Sequence, residues 1–399
     1  MADKSAIEWT DATWNPVRGC TRVSPGCGGP GLHGGCYAEQ VAGRFSDEGQ
    51  AFHGFAKRSA AGGRWTGKVE LAEHMLALPL RWRKPRRIFV NSMSDLFHEK
   101  LSDADIDRVF AIMALCPQHT FQVLTKRADR MRAYFHTPSL IDGDGINRGR
   151  EIEMYAALKS VGAALGLEET DIFFRNPFGG CRPGLPLPNV WLGVSVEDQQ
   201  RANERVPDLL ATPAAIRFLS CEPLLGPVDL TNIDLSFVEA REKEPSGLRV
   251  LDALTGIHYD GEGSVEGIWD SPDPRIDAVI VGGETGRNPR PMHQDWPRAL
   301  LAQCQDVGTR FFFKQWGDWV PCQTNDGEWL TDHSHFCRLR PDGRRAADGW
   351  PMQRVGKRFA GRLLDGREYS ELPSSGMGPG AGAANASGVA APDIHTDAK

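Results

Sequence analysis

Short apolar runs alternate with amphipathic helical segments over about 300 residues, and this alternation constrains the fold most. The runs are apolar on both faces, as buried parallel strands are. The strand candidates cover residues 87–93, 121–125, 190–196, 216–220, 278–281 and 310–313, with a weaker one at 13–17. Helical patterns cover residues 37–45, 103–115, 128–135, 199–210 and 295–306. Parallel neighbours need right-handed crossovers, so we expect an α/β fold: a partial or complete (β/α) barrel of parallel strands.

One helix start is well marked in the sequence. Ser102 is a candidate N-cap, and Ile106, Val109, Phe110 and Met113 follow at helical spacing. No G-x-G-x-x-G motif follows the first strand candidate, which weakens the alternative of a doubly wound, dinucleotide-binding sheet.

Two stretches interrupt the alternation and set the expected domain organisation. We expect a barrel over residues 1–320 with insertions at about 137–188 and 231–274. Long insertions often become lids or substrate platforms, and a lineage-specific decoration is the equal alternative. A C-terminal extension would cover residues 321–370. The Gly- and Ala-rich tail, 371–399, is expected to be disordered because it cannot bury enough apolar surface.

The charge balance and apolar pattern limit the compartment and partners. The net charge of −6, from 46 basic and 52 acidic residues, argues against an overall basic coat for nucleic acid but allows a local basic stripe. The acidic second insertion supplies part of that negative charge. No signal peptide is visible and no apolar run approaches 18 residues, so we expect a cytoplasmic protein with no membrane partner. Clustered cysteines in that reducing compartment indicate metal binding or catalysis.

Three clustered cysteines carry the strongest chemical signal. Cys20, Cys27 and Cys36 have the spacing C-x6-C-x8-C within a Gly- and Pro-rich stretch, and Cys36 precedes a helix whose N-terminus favours a thiolate. Three thiolates can hold three irons of a [4Fe-4S] cluster and leave the fourth iron open. The alternatives are a structural zinc site with His33 as fourth ligand, or three unligated cysteines.

Polar and charged side chains follow the apolar strand candidates. In a parallel barrel the carboxyl ends of the strands converge on one face, where active sites lie. The alternative is that charged residues occur there only because solvation begins where strands end. The strand-end residues are Ser94, Asp95, Lys126, Arg127, Glu197, Glu222, Glu284, Lys314 and Gln315.

Two basic segments are compatible with nucleic-acid contact. RWRKPRR, residues 81–87, surrounds Trp82 with cations, and KRADRMR covers residues 126–132. Basic groups interleaved with an aromatic residue suit phosphate contact and base stacking. The alternative is a charged, solvated segment leading into a strand.

Several motifs in chain order resemble a known superfamily. The chain is similar to a phage- and bacterium-associated branch of the radical S-adenosylmethionine superfamily, which is more distantly similar to spore photoproduct lyase. The motifs are WNPVRGCTRVSPGC with CYAE, FVNSMSDLFH, FQVLTKR, NVWLGVSVEDQ, RFLSCEPLLGP, VGGETGRNPRPM and FFFKQWG. One departure is the gap between Cys27 and Cys36, where the branch usually has C-x2-C, so His33 could have joined the ligands.

The resemblance implies a partial (β/α) barrel, related to the TIM barrel, with a [4Fe-4S] cluster at its mouth and S-adenosylmethionine on the open iron. Reductive cleavage would give a 5′-deoxyadenosyl radical. The reaction and substrate of the branch do not follow from the resemblance. Candidate cofactor-binding residues, whose chemistry suits the ammonium, carboxylate and ribose of S-adenosylmethionine, are Tyr37, Lys126, Arg127, Glu197, Gly282, Gly283 and Glu284. The candidate catalytic residues are Asp95, His98 and Glu222, with Cys221 a less favoured hydrogen donor.

The leading hypothesis is therefore a radical S-adenosylmethionine enzyme with an electron donor as partner. The expected substrate is nucleic acid or a nucleotide, because of the basic segments, the phage association and the similarity to the lyase. Two alternatives remain: a non-catalytic zinc-binding nucleic-acid module, and a barrel hydrolase whose carboxylates bind a metal. The sequence does not predict the oligomeric state.

Overall fold

A computed structural model describes residues 5, 7–28, 36–60, 62–136, 149–167, 185–237, 248–260, 265–268, 275–322 and 335–374. The strands are β1 (Ala12–Trp14), β2 (Val17–Arg18), β3 (Ala56–Ser59), β4 (Gly62–Trp65), β5 (Glu70–Leu71), β6 (Arg87–Val90), β7 (Thr120–Thr125), β8 (Val190–Ser195), β9 (Ile216–Cys221), β10 (Ile233–Asp234), β11 (Leu248–Leu251), β12 (Ile257–Asp260), β13 (Val265–Ile268), β14 (Ala278–Gly282), β15 (Arg310–Gln315), β16 (Trp319–Pro321), β17 (Phe336–Leu339) and β18 (Trp350–Arg354). The helices are α1 (Tyr37–Arg44), α2 (Glu73–Leu76), α3 (Asp103–Ala114), α4 (Ala128–Phe135), α5 (Gly149–Ala164), α6 (Gln199–Ala211), α7 (Asp295–Val307) and α8 (Lys357–Ala360).

The main sheet has seven strands in the order β1-β6-β7-β8-β9-β14-β15. Every neighbouring pair in it is parallel. The sheet curls into a half-barrel with flanking helices, so the prediction of a partial α/β barrel of parallel strands is confirmed. Within the described ranges, no helix combines the length and apolarity needed to cross a membrane.

The two faces of the sheet have different roles. Outward-facing side chains pack beneath the helices in one large apolar core. Inward-facing side chains form a second core inside the barrel, around Trp9. A methyl group on Gly193 would lie 2.6 Å from the Phe218 ring, so this glycine makes room for the aromatic filling. The inner core consists of Trp9, Phe89, Trp191, Phe218, Ala278, Ile280 and Phe312.

The free edge of β15 is covered by the end of the C-terminal extension. The Phe313 amide donates to the Tyr369 carbonyl at 3.0 Å, and the Glu371 amide donates to the Phe311 carbonyl at 3.2 Å. An uncovered edge would offer unpaired backbone groups to other chains. Residues 369–371 are therefore part of the barrel fold, and the expected disordered tail lies outside the described residues from 375 onward.

The described part of the first insertion belongs to the outer helical layer. Helix α5 packs against α3. The buried Arg150 donates to both carboxylate oxygens of Asp107 at 3.1 Å and to the Tyr134 carbonyl at 3.0 Å. These contacts fix α5 on the outside of the sheet. Residues 137–148 and 168–184 of this insertion lie outside the described residues.

The second insertion and the C-terminal extension each contribute a small antiparallel sheet. The first has the order β10-β11-β12-β13 and the second has the order β16-β18-β17. The second sheet begins at Trp319, one residue before the predicted end of the barrel at 320.

The cap of α3 gives a test of local structure. Ser102 Oγ accepts a hydrogen bond from the Asp105 amide at 3.2 Å, as the sequence predicts. Ser102→Ala is expected to lower the free energy of unfolding by about 1 kcal/mol, measured by urea denaturation. Ser102→Asn keeps an acceptor and should remain close to the wild type. An equal loss in both variants would contradict the capping role.

Candidate active site

A cavity of about 280 Å³ lies at the carboxyl ends of the parallel strands. Eleven of the residues singled out from the sequence line it, and they come from separate strand ends and from the N-terminal cysteine segment. They are Cys20, Cys27, Cys36, Tyr37, Ser94, Asp95, Lys126, Arg127, Glu222, Gly283 and Glu284.

The three cysteines reach the cavity from one side. Cys20 follows β2, and Cys27 ends a short 3-10 turn, Pro25–Cys27. Cys36 immediately precedes α1. Burial raises the pKa of the Cys20 thiol to about 12, and the nearby Asp95 carboxylate adds to this. Burial also raises the pKa of the Cys36 thiol, with Cys27 contributing as a like charge. Both shifts favour the protonated thiols, so metal binding at these two cysteines would have to displace their protons.

Three cysteine thiols at one cavity are the type of donor that iron–sulfur clusters and structural zinc sites both use. In the described part of the chain, no three His, Cys, Asp or Glu side chains are grouped so that they could hold a metal ion. His33, the candidate fourth zinc ligand, lies outside the described residues.

The segment that carries Cys20 and Cys27, here named the cysteine loop (residues 19–28), is fixed to the strand ends. Arg127 Nη2 donates to Thr21 Oγ1 at 2.8 Å and to the Thr21 carbonyl at 3.2 Å. Arg290 Nη2 donates to the Pro25 carbonyl at 2.9 Å. Side chains of the barrel thus position the backbone of the loop.

The Glu197 side chain contacts the centre of the cysteine loop at Ser24. Its carboxylate is fully buried, accepts a hydrogen bond from Ser24 Oγ at 2.7 Å, and lies 2.9 Å from Arg205 and 3.5 Å from Lys126. Burial alone would raise the pKa of this carboxyl, but Lys126, Arg205 and the Ser24 hydrogen bond outweigh it and lower the pKa. Glu197 is not among the residues that line the cavity, so its contact is with the loop.

Gly26 provides a test of this arrangement. A methyl group there would lie 2.1 Å from Glu197 Oε1, and the ion pairs of that carboxylate prevent it from moving aside. We expect Gly26→Ala to displace the cysteine loop and to lose most of the iron bound after anaerobic reconstitution. Gly54→Ala is the control, because its positive φ of 79° costs about 1–2 kcal/mol but no atom lies within 4 Å of the added methyl. Full iron content in Gly26→Ala would contradict the argument.

The wall formed by β9 and β15 carries a fixed carboxylate. Lys314 Nζ donates to both oxygens of Glu222, at 2.7 and 2.8 Å, and lies 3.8 Å from Glu8. Burial alone would lower the pKa of Lys314, but Glu222 outweighs burial and raises it. Gln315 Nε2 donates to Glu222 Oε1 at 3.3 Å. Glu222 therefore faces the cavity as a fixed hydrogen-bond acceptor.

The Gly282–Gly283–Glu284 tripeptide is placed by close packing. A methyl group on Gly283 would lie 2.0 Å from the Trp316 carbonyl oxygen, and one on Gly282 would lie 3.3 Å from the Glu222 carboxyl carbon. Gly282 is not among the lining residues. Glu284 reaches the cavity with its carboxylate clamped by Arg290, whose Nε and Nη2 donate to it at 2.8 and 2.6 Å.

Asp95 and His98 are both fully engaged. Asp95 accepts hydrogen bonds from Thr125 Oγ1 at 2.7 Å, the Lys126 amide at 3.1 Å and Arg127 Nη1 at 3.0 Å, so it orders the turn after β7. His98 is buried and is not among the lining residues. Its Nδ1 accepts from the Lys100 amide, which leaves Nε2–H to donate to Thr21 Oγ1 at 2.9 Å. Burial lowers the pKa of His98. Both side chains hold the site in shape.

Asn91 is a lining residue that sequence reasoning missed. It is 4% exposed and has a φ of 63°, which asparagine tolerates better than most residues. Its Oδ1 accepts a hydrogen bond from the Val17 amide at 3.3 Å. The NH2 group of the Asn91 side chain therefore points away from Val17. Within the described residues Nδ2 has no partner. Alternation from the inward-facing Phe89 could have identified Asn91, but the predicted strand ran past it to 93.

The two basic segments predicted for nucleic-acid contact differ in their surroundings. Residues 81–86 precede β6, at the end of the barrel opposite the cavity; Arg81, Arg83 and Lys84 are exposed there, and Trp82 is buried beneath Arg86. Cations of the second segment are paired with carboxylates, as in Arg127 with Asp95. Contact of these segments with nucleic acid stays a prediction. Cys221 is buried and does not line the cavity.

A family model described as "Protein of unknown function (DUF5131)" matches residues 4–373. No curated protein and no solved structure matches the chain. The matched residues include the cysteine segment, all seven strands of the half-barrel and the segment 369–371 that covers its edge. The chain therefore belongs to the DUF5131 family of proteins of unknown function.

Proposed function

We propose that this protein is a radical S-adenosylmethionine enzyme with a [4Fe-4S] cluster held by Cys20, Cys27 and Cys36. One observation carries the proposal: three cysteines from separate turns converge on one cavity at the carboxyl ends of a parallel half-barrel. That is the face on which barrel enzymes place their chemistry. Three thiolates leave one iron of such a cluster open to an external ligand.

When bound, the cluster would supply the electron that cleaves S-adenosylmethionine to methionine and a 5′-deoxyadenosyl radical able to take hydrogen from a substrate. The protein supplies ligation, orientation and exclusion of water. Arg127, Glu197 and Arg290 hold the cysteine loop in place, which is the kind of support that a binding site for a metal cluster needs.

The lining side chains match the polar groups of S-adenosylmethionine. Glu222 presents a fixed acceptor to an ammonium or a ribose hydroxyl. Asn91 Nδ2 presents a donor without a partner among the described residues, and a carboxylate oxygen would satisfy it. Lys126, 3.5 Å from Glu197, adds a cation on the same side as the cysteines.

The floor of the cavity excludes water. Phe89 and Leu124 line its lower side and belong to, or pack against, the inner apolar core around Trp9. Water and other small hydrogen donors cannot reach the reacting atoms from below, which limits side reactions.

The two alternative functions have weaker support. A hydrolytic metal site needs carboxylates free to bind an ion, whereas Glu197, Glu222 and Glu284 are each paired with Lys or Arg. A structural zinc site would need a fourth ligand such as His33.

The proposed radical S-adenosylmethionine reaction also requires an electron donor, and we propose that it takes place in the reducing cytoplasm.

Metal content and spectroscopy test the proposal. The protein is purified anaerobically, reconstituted with iron and sulfide, and analysed for iron, sulfide and zinc. We expect about four irons and four sulfides per chain and an electron paramagnetic resonance signal of the reduced cluster that changes when S-adenosylmethionine is added. Stoichiometric zinc without iron–sulfur absorbance would overturn the proposal.

A further inference from the structure

We propose that the rim of the cavity beside β14 and β15 is a docking surface for single-stranded nucleic acid, and that this strand is the substrate. The inference rests on the proposed function for the chemistry but has its own evidence. We name four exposed side chains on backbone segments linked to the cavity wall the rim patch: Arg287, Arg358, Phe359 and Leu363.

The rim patch is attached directly to the cavity wall. The Asp318 amide donates to the carbonyl of the cavity residue Glu284 at 2.9 Å, and the Asp318 carbonyl accepts from the Val355 and Gly356 amides at 2.9 and 3.0 Å. Helix α8 starts at the next residue, Lys357. Two hydrogen-bonded steps therefore join the cavity to the helix that carries Arg358 and Phe359.

Further contacts make this part of the rim rigid. Arg354 Nη2 donates to the Gly286 carbonyl at 3.0 Å, which holds the turn carrying Arg287 against the end of β18. Lys357 Nζ donates to Glu8 at 2.9 Å, and the Trp316 amide donates to the Gly361 carbonyl at 3.2 Å. The exposed side chains are thus presented by fixed backbone, which lowers the entropic cost of binding.

The charge of the rim patch indicates a polyanion. Arg287 and Arg358 are exposed, and neither has a carboxylate partner among the residues that the structure describes. Most other arginines nearby are paired, as in Arg354 with Asp318. In a chain of net charge −6, two unpaired cations at the mouth of a cavity are a local positive site suited to phosphates.

The aromatic side chain narrows the partner to a nucleic acid strand. Phe359 is 77% exposed and Leu363 is 52% exposed. A single strand combines phosphates for the arginines with bases that stack on an exposed aromatic ring. A stable protein interface would bury about 800 Å² per partner around an apolar core, and two apolar side chains flanked by cations are too few for that.

The size of the cavity agrees with a large substrate that stays mostly outside. A cavity of about 280 Å³ is too small to hold a nucleic acid strand, so most of a bound strand would lie on the rim. A strand on the rim patch could place one flipped-out nucleotide in the cavity, as enzymes acting on bases do.

Fluorescence anisotropy of a labelled mixed-sequence oligonucleotide, as DNA and as RNA, tests the inference on the full chain. Arg287→Glu with Arg358→Glu should weaken binding at least tenfold and reduce the salt slope by about 2. Phe359→Ala should weaken binding about 5- to 150-fold and leave the salt slope unchanged. Arg83→Glu with Lys84→Glu is the matched control, because it makes the same charge change at the opposite end of the barrel.

No binding of either single strand, including a result in which only an acidic protein binds, would overturn the inference. So would an equal loss in the control. The rim variants should still form 5′-deoxyadenosine without oligonucleotide, because none of their residues lines the cavity. Absent strand binding in the wild-type protein, or unchanged binding in the rim variants, with normal 5′-deoxyadenosine formation refutes the docking surface alone. Strand binding that depends on the rim patch, without 5′-deoxyadenosine formation, refutes the proposed function alone.

Discussion

Replacing Cys20, Cys27 or Cys36 by alanine is expected to abolish cluster assembly and the formation of 5′-deoxyadenosine. In the proposed cluster each thiolate would bind a separate iron, so two remaining ligands would not hold it against loss to solvent. The three variants should fold, because the loop is fixed by Arg127 and Glu197 rather than by the thiols. Iron analysis, visible absorption and circular dichroism measure cluster content and folding separately.

Cys337→Ala is the control for this series. Cys337 lies on β17 in the C-terminal sheet, away from the cavity. The Cys337→Ala variant should therefore keep its full iron content. Full iron content in any of the three variants Cys20→Ala, Cys27→Ala and Cys36→Ala would contradict the proposed ligand set. Loss of the cluster in His33→Ala would show that the long gap between Cys27 and Cys36 has added a ligand.

Removing the buried carboxylate of Glu197 should have the largest effect on stability. Glu197→Ala leaves Arg205 and Lys126 without their anionic partner beneath the cysteine loop. Breaking a buried ion pair in this way costs about 3–5 kcal/mol. Ser24 also loses its acceptor, so we expect reduced iron content as well as a lower free energy of unfolding. Chemical denaturation and iron analysis measure the two effects.

The pH dependence gives this prediction a sign. The pKa of Glu197 is lowered in the folded protein from its ordinary value of 4.5. Its contribution to stability is therefore complete above that ordinary value and is lost as pH falls through the lowered folded-state pKa. The difference between wild type and Glu197→Ala should shrink in acid. Glu204→Ala, beside Arg205 on helix α6 but with a more exposed side chain than Glu197, should change stability by less than about 1 kcal/mol. Equal effects of the two substitutions would contradict the structural role of Glu197.

The strands of the barrel could be predicted because their interiors are apolar on both faces. The run predicted at 216–220 is the strand Ile216–Cys221, and the run predicted at 278–281 is Ala278–Gly282. The helix predicted at 128–135 is Ala128–Phe135. Local pattern and burial agree in these elements, so the sequence is sufficient.

Elements that depend on distant contacts could not be predicted. Nothing local to Trp9 indicates that it fills the barrel interior, and nothing local to residues 369–371 indicates that they cover the edge of β15. The antiparallel sheet β10–β13 forms by strand pairing within the second insertion. The composition of that insertion is typical of a loop, so the sequence does not indicate these strands.

The sequence predicts that polar side chains gather at the carboxyl ends of the strands. It does not predict the direction in which each side chain points. Strand alternation places Glu222 and Lys314 toward the interior. The turns after the strands then decide the rest: Glu197 turns beneath the cysteine loop, and His98 turns into a buried contact with Thr21. Sequence spacing alone does not contain those turn geometries, and Asn91 was hidden because the strand ends sooner than its apolar pattern.

The central claim is tested most directly by measuring 5′-deoxyadenosine. Reconstituted protein is incubated anaerobically with S-adenosylmethionine and a strong reductant, and the product is quantified by liquid chromatography with mass spectrometry. The proposed function predicts formation that requires the cluster, the reductant and all three of Cys20, Cys27 and Cys36. Full iron and sulfide loading without any 5′-deoxyadenosine, or equal formation by the Cys20→Ala variant, would contradict it.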